Sequence, residues 1–386
     1  MRKSYLYDKG GINMRKSYLD NIRWAVVVLV VIYHVIYMYN GEGIVGVVGK
    51  ITDLPVQYYD VYMYMVYPWF MSVLFIVAGA SSRYWFDSHC SQVADPGSDR
   101  DFIKSRTTKL LVPCTVGLLV FGFLQGFVNV AIGGGFDNMD GVPVIIKALI
   151  VLVSGTGVLW FIQVLWLFSM LLVLVRKMDK DRLWNIGAKV NMPMLILMVL
   201  PVWAAAQVLN TPIICVYRFG LYSLMFFLGY FVFSHDEVIE LLKKWFPMFL
   251  AIGVLLGGAF CWKYFGENYA DAPVNRTPLF TGFCWFACLA VIGGMAKYGD
   301  VSNRFTQWMS KRSFGLYVFH YLCISSFALF VGKTGVLPAW AVYLLSFILG
   351  FAGGYALNAI VSRIPFLRWA VLGIKSPSVK GQSHAG

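Results

Sequence analysis

Charged side chains are scarce in this sequence. Asp, Glu, Lys and Arg together make up 13% of its 386 residues, whereas soluble domains carry about 25%. Hydrophobic residues reach 59%, and they form runs of about 18 to 24 residues, each long enough to cross a hydrocarbon core of about 30 Å. The composition therefore excludes an ordinary soluble protein and predicts an all-α, polytopic membrane bundle.

Acidic residues are missing from the apolar runs altogether. Carriers that couple transport to ions or protons usually keep a buried carboxylate as a relay or ion ligand, so this absence argues against a coupled carrier. The ten runs that we take as spans cover roughly 22–39, 63–82, 109–131, 157–175, 191–209, 213–233, 245–265, 279–296, 313–331 and 338–361.

Signals for phosphate loops, metal sites and nucleic-acid binding are also missing. The glycine run 133–135 is not followed by the Gly-Lys-Ser/Thr of a phosphate loop. Cys284 and Cys288 share a helix face, but no His or acidic residue stands beside them, so we interpret them as small packing residues and predict no metal. The net charge of +13 reflects Lys and Arg in cytoplasmic loops, and we predict no nucleic-acid partner.

The basic clusters predict the topology. Ten crossings place both termini and every dense basic cluster in the cytoplasm. Residues 143–154 are apolar but too short to cross, and we interpret them as an interfacial or re-entrant helix. An eleventh crossing there would invert everything downstream.

A sequence repeat suggests the domain limits. Met-Arg-Lys-Ser-Tyr-Leu occupies 1–6 and again 14–19, so Met14 is a candidate start and we expect residues 1–13 to be dispensable. The predicted membrane domain then covers 14–365, and residues 366–386 are expected to form a cytoplasmic tail.

The first span carries the leading candidate site. Arg23 and His34 are eleven residues apart, which at 100° per residue is three turns plus about 20°, so both lie on one helix face about 16 Å apart along the axis. Ionisable groups buried in a span are functional by default. The alternative interpretation of His34 is a structural histidine that bonds to a neighbouring helix.

A second histidine lies late in the chain. Ser313, Tyr317 and His320 follow at i, i+4 and i+7, so they line one helix face. This face is a candidate wall of a reaction chamber, and two histidines suit general acid–base chemistry near neutral pH. Helix–helix hydrogen bonding is the alternative.

Basic residues also mark the entry to the third span. Arg106 and Lys109 lie at i and i+3, and with Arg23 they would form a cationic cytoplasmic mouth for phosphates or another anion. Ordinary positive-inside anchoring is the alternative, and it is the simpler interpretation of Lys109 taken alone.

Several motifs together resemble the acyltransferase-3 family of bacterial integral-membrane O-acyltransferases. In the first span, Arg23 is followed by ten residues and then His34, and Leu-Asp-Asn-Ile at 19–22 comes before the arginine. Four later stretches follow in family order, at 75–79, 102–113, 159–162 and 313–320. Ala78 replaces the family's usual serine, so any role of that hydroxyl is absent. The resemblance covers about 14–361.

The resemblance implies an enzyme of the bacterial inner membrane. Such proteins move an acyl group, often acetyl, from a cytoplasmic acyl-CoA to a hydroxyl of a glycan, lipid-linked sugar or other small acceptor. Under this hypothesis His34 is the general base, and His320 and Tyr317 are further catalytic candidates. Arg23, Asp20, Arg106 and Lys109 are the candidates for holding the CoA.

Two points stay open at the level of the sequence. With no buried carboxylate, a hydroxyl, an amide or a backbone carbonyl must orient His34, and either direct transfer or a transient acyl-histidine would serve. The rival functions are a transporter or flippase for a small amphiphile or lipid-linked sugar, and a membrane sensor or scaffold. A sensor or scaffold leaves the alignment of Arg23 with His34 unexplained.

Overall fold

The computed structural model describes residues 16–41, 47–89, 96–212 and 216–374. The predictions for residues 1–13 and for the tail beyond residue 374 lie outside these ranges.

Helices dominate the described ranges. In chain order they are α1 (Ser17–Met38), α2 (Val61–His89), α3 (Pro96–Arg106), α4 (Val112–Gly117), α5 (Phe123–Ile132), α6 (Val144–Ser154), α7 (Trp160–Asp179), α8 (Arg182–Gly187), α9 (Met192–Leu197), α10 (Val199–Gln207), α11 (Phe219–Phe231), α12 (Asp236–Tyr264), α13 (Pro278–Tyr298), α14 (Arg304–Phe330), α15 (Ala339–Ile348), α16 (Gly354–Arg363) and α17 (Pro365–Leu372). Single π-turns at Thr107–Leu111, Leu118–Gly122 and Leu349–Gly353 join α3 to α4, α4 to α5 and α15 to α16.

The predicted all-α membrane bundle is confirmed. Within the described residues, eight helical stretches are long and apolar enough to cross a membrane, and eight of the ten predicted spans fall on them. The other two, 191–209 and 213–233, correspond to the shorter apolar helices Met192–Gln207 and Phe219–Phe231. The short segment predicted at 143–154 is the eleven-residue α6.

The predicted span at 213–233 begins differently from expectation. Residues 216–218 of this span form strand β2 (Val216–Arg218), which pairs antiparallel with β1 (Asn210–Pro212), and Asn210 stands opposite Arg218. The hydrophobic pattern of the sequence could not distinguish a strand from the first turn of a helix here, because a short apolar run suits both.

Two helices extend well before the predicted spans. α12 and α14 start at Asp236 and Arg304, before the predicted span starts at 245 and 313, so the charged residues that precede those two spans lie in helical turns. Asn303 caps α14 by accepting a hydrogen bond from the backbone N–H of Thr306, and acidic residues in the first turn of α12 favour a helix start. Lys, Arg and Glu are good helix formers. Charged residues therefore mark the end of an apolar run, but the helix can continue through them.

Helix α1 packs against α2, α13, α14 and α15. Helix α2 in turn packs closely on α11. A Cβ at Gly79 would collide with the backbone of α11, and one at Gly229 with the backbone of α2. The glycine of the 75–79 motif therefore permits a close helix contact.

The first residues of the predicted tail, which starts at residue 366, belong to helix α17. Helix α17 packs against α4, and Ala370, Val371 and Leu372 are buried there.

Candidate active site

The start of α1 is fixed by side-chain hydrogen bonds. Asn21, which is buried, donates from Nδ2 to the carbonyls of Gly299 and Val301 at 2.7 and 2.8 Å. The backbone N–H of Tyr18 donates to Asp300 at 2.9 Å. These bonds tie α1 to the α13–α14 connection and so set its position against α14.

This packing brings the two predicted histidines together. His34 Nδ1 lies 3.1 Å from His320 Nε2, across 286 residues of sequence. His320 is fully buried, whereas His34 keeps part of its surface open to a cavity. His34 lies four residues before Met38, the last residue of α1, so it is about 6 Å from the helix end that is remote from Arg23.

Backbone carbonyls assign the tautomers of both rings. His34 Nδ1 lies 2.9 Å from the carbonyl oxygen of Val30, and His320 Nδ1 lies 3.0 Å from that of Leu316. A carbonyl oxygen only accepts, so each Nδ1 carries the proton. His34 Nδ1–H is then shared between Val30 and the lone pair of His320 Nε2. The lone pair of His34 is consequently on Nε2.

A cavity of about 470 Å³ adjoins His34. Its walls come from the last turns of α1, the first turns of α2, the α5 end at Asn129, the α6–α7 connection and the loop 268–271. Tyr64 Oη donates to the carbonyl of Glu267 and accepts from the N–H of Gly266, which ties this loop to α2. The cavity therefore lies at the end of the bundle opposite Arg23.

Tyr317 and Ser313 have different surroundings. Tyr317 lines the cavity and donates its hydroxyl to the carbonyl of Val158. Ser313 is buried and donates to the carbonyl of Ser310 in its own helix at 3.2 Å. Of the three residues predicted to line one wall of a reaction chamber, Ser313, Tyr317 and His320, only Tyr317 lines the cavity.

Arg23 and Arg106, two of the three residues predicted to form a cationic mouth, bind adjacent serines of α2. Arg23 Nη1 pairs with Asp20 at 2.5 Å, and its Nη2 donates to the Ser81 hydroxyl. Arg106 Nη2 donates to the Ser82 hydroxyl at 3.1 Å.

The members of this cluster differ in charge balance. Asp20 neutralises Arg23, and the structure places it as an ion-pair partner. No ion pair within the described ranges reaches Arg106, which makes its guanidinium the stronger candidate for an anion. Lys109, one helical turn further on, is exposed.

Sequence reasoning did not identify several of these residues. Ser81 and Ser82 lie three and four positions after Ala78, so they are one turn beyond the position where the family's serine was expected. Asn129 lines the cavity and donates to the carbonyl of Ser154 at 2.8 Å. The helical period could have identified Ser81 and Ser82, because residues three and four positions apart lie on the same helix face as Ala78. No pattern in the sequence indicates that Asn129 lies near His34.

A family comparison covers nearly the whole chain. The acyltransferase-3 model, described as an acyltransferase domain, matches residues 16–359. The chain belongs to the acyltransferase-3 family. The match runs from the start of α1 into α16 and includes all seven predicted site residues. No curated protein and no solved structure matches the chain.

Membership in the acyltransferase-3 family makes this chain a membrane acyltransferase that transfers groups other than amino-acyl groups. Across the described ranges, no group of three or more His, Cys, Asp or Glu side chains has an arrangement that could hold a metal ion. The imidazoles of His34 and His320, which lie within hydrogen-bond distance of each other, are the candidates for the acid–base chemistry of this acyltransferase.

Proposed function

We propose that this chain transfers an acyl group, with acetyl the first choice, from a cytoplasmic acyl-CoA to a hydroxyl of a glycan or another small acceptor at the bacterial inner membrane. The observation that carries the proposal is the hydrogen-bonded pair His34–His320 beside a cavity. Imidazole is the side chain best suited to move a proton near neutral pH.

His34 acts as the general base through Nε2. The acceptor hydroxyl attacks the thioester carbonyl, a C–O bond forms, and its proton passes to Nε2. The C–S bond then breaks, and His34 returns the proton to the departing CoA sulfur. Direct transfer of this kind needs no covalent enzyme intermediate.

His320 serves as the positioning residue for His34. When His34 gains its second proton, Nδ1–H faces both the Val30 carbonyl and the Nε2 lone pair of His320. Two acceptors stabilise the imidazolium and hold the ring orientation. A neutral imidazole and a backbone carbonyl thus take the place that a carboxylate fills in a Ser-His-Asp triad.

The two substrates approach from opposite ends of the bundle. The guanidinium groups of Arg23 and Arg106 would bind the phosphates of CoA, and the pantetheine arm would extend toward His34. The acceptor would occupy the cavity, which is lined by aromatic rings and by Asn129 and Asp271. Rings that stack on a sugar and oxygens that accept from its hydroxyls suit a glycan acceptor.

The test is acyl transfer by the purified protein in lipid nanodiscs. Radiolabelled acetyl-CoA is supplied with a membrane extract, and we expect label to enter a glycan or lipid fraction. His34→Ala should reduce transfer to background because the base is lost. The matched control is His89→Ala, which changes an exposed histidine at the end of α2 and should retain full activity.

Normal transfer by a correctly folded His34→Ala variant would refute the assignment of the base. Label that never leaves CoA with any extract would refute the acetyl donor, and the assay would then be repeated with longer acyl-CoA donors.

A further inference from the structure

A buried arginine lies behind the cavity wall. Arg218, at the end of β2, is 1% exposed. Its Nη2 donates at 3.0 Å to the Tyr67 hydroxyl and at 3.0 Å to the Ala270 carbonyl, and both residues line the cavity. Its Nε has no hydrogen-bond partner in the described part of the chain. No carboxylate there forms an ion pair with it.

Among the described residues, this arrangement leaves the positive charge of Arg218 without a counter-charge. Guanidinium does not lose its proton in proteins, and a buried charge is normally paired because desolvation is costly. Aromatic faces offset part of the cost, since Arg218 lies 4.9 Å from the ring centre of Tyr67 and 5.0 Å from that of Phe280. The charge that is not offset makes the electrostatic potential positive in the part of the cavity next to Arg218.

Hydrogen-bond donors cover that part of the wall. Tyr67 accepts from Arg218, which leaves its own O–H to donate. Tyr222 and Trp160 stack on each other with ring centres 5.5 Å apart, and both also line the cavity. The described residues include no hydrogen-bond acceptor for the Tyr67 and Tyr222 hydroxyls or for the Trp160 indole N–H. Three donors backed by a cation form a wall that favours an anion.

We infer that the wall formed by Tyr67, Tyr222 and Trp160, backed by Arg218, is an oxyanion subsite, and that the acceptor is a sugar bearing a carboxylate or a phosphate. Only one part of this inference rests on the proposed function, namely that the bound sugar is the acyl acceptor. The subsite binds its anion whether or not acyl transfer follows. Tyr67 and Arg218 are specificity-determining residues that act at a distance from the base.

One carboxylate limits the strength of this subsite. Asp271 lines the cavity and accepts a hydrogen bond from Asn268 Nδ2 at 2.9 Å. It follows Ala270, whose carbonyl binds Arg218, yet it does not form an ion pair with that guanidinium. Removing the charge of Asp271 should therefore strengthen the binding of an anion.

The test is equilibrium binding of matched sugars to the protein in nanodiscs. The first pair is methyl glucoside and methyl glucuronide, and the second is glucose and glucose 6-phosphate. We expect the anionic member of at least one pair to bind about tenfold more tightly than its neutral partner, which is the size of one charge-assisted hydrogen bond. The two pairs distinguish a carboxylate from a phosphate.

Variants assign the preference to the wall. Tyr67→Phe removes the hydroxyl and keeps the ring, so it should abolish the anionic preference, as should Arg218→Gln. Arg218→Lys, which keeps the charge, should retain part of it, and Asp271→Asn should increase it. Arg312→Gln is the matched control, because it removes an exposed arginine of α14 that belongs to neither proposed binding site, and it should leave the preference unchanged.

Three results would overturn the inference. They are equal binding of both members in both pairs, no binding of either anion, and an undiminished preference in a folded Tyr67→Phe or Arg218→Gln protein. His34→Ala should keep the preference, so failure of the acyltransfer mechanism and failure of this subsite give different patterns.

Discussion

Replacing His320 tests the idea that a neutral imidazole positions the base. His320→Leu removes the acceptor at 3.1 Å from His34 Nδ1 while filling a similar volume in a fully buried position. His34 would keep the Val30 carbonyl and its tautomer. We therefore expect a slower enzyme rather than a dead one, with acyl-CoA binding unaffected.

The magnitude follows from the bond that is lost. A hydrogen bond to a charged group contributes about 1.5–3 kcal/mol, and His34 carries its charge only when it has taken the proton. Because each 1.36 kcal/mol changes a rate tenfold, kcat should fall by about 10- to 150-fold. The KM for acyl-CoA should stay within about twofold, since ground-state binding does not involve this bond.

The assay is steady-state acyl transfer by wild-type, His320→Leu and His320→Gln proteins of equal thermal stability. Gln places an amide oxygen where it can accept from His34 Nδ1, so it should recover part of kcat. An unchanged kcat in His320→Leu would refute the positioning role. A rise in KM alone would mean that His320 shapes a binding surface.

Three further predictions concern the donor site, the helix packing and pH. Arg106→Gln should raise the KM for acyl-CoA about tenfold with little change in kcat, because one charge-assisted contact to phosphate is lost; Lys104→Gln is the control. Gly79→Leu should lower stability by about 1–3 kcal/mol or more in a thermal melt, because its side chain meets the backbone of α11. The control is Gly258→Leu in α12, which should keep the melting temperature because a Cβ added at Gly258 meets no other atom within 4 Å. Burial lowers the pKa of His235, which lies between α11 and α12. The unfolded chain then binds the proton more tightly, so stability should fall as pH drops below about 6.5, and His235→Gln should flatten that decline; an unchanged slope would refute the assignment.

Local regularities made much of the fold predictable. Runs of apolar residues identified the eight long helices, since their length is set by the bilayer and can be counted along the chain. The common face of Arg23 and His34 followed from the helical period alone. The motifs likewise predicted the family, since each one is a short pattern within a single element. Predictions failed where a short apolar run formed a hairpin and where charged residues continued a helix.

The sequence by itself determined that this is a membrane protein, which of the described helices are long and apolar enough to cross a membrane, and which polar side chains those helices carry. Only the tertiary structure decided that His320 lies against His34, that Ser81 and Ser82 bind the two arginines, and that Arg218 stands behind Tyr67. Spacing along one helix is fixed by backbone geometry and is readable from the chain. Contacts between elements depend on packing, and residues separated by 286 positions meet only when close approaches such as that at Gly79 have set how the helices stand together.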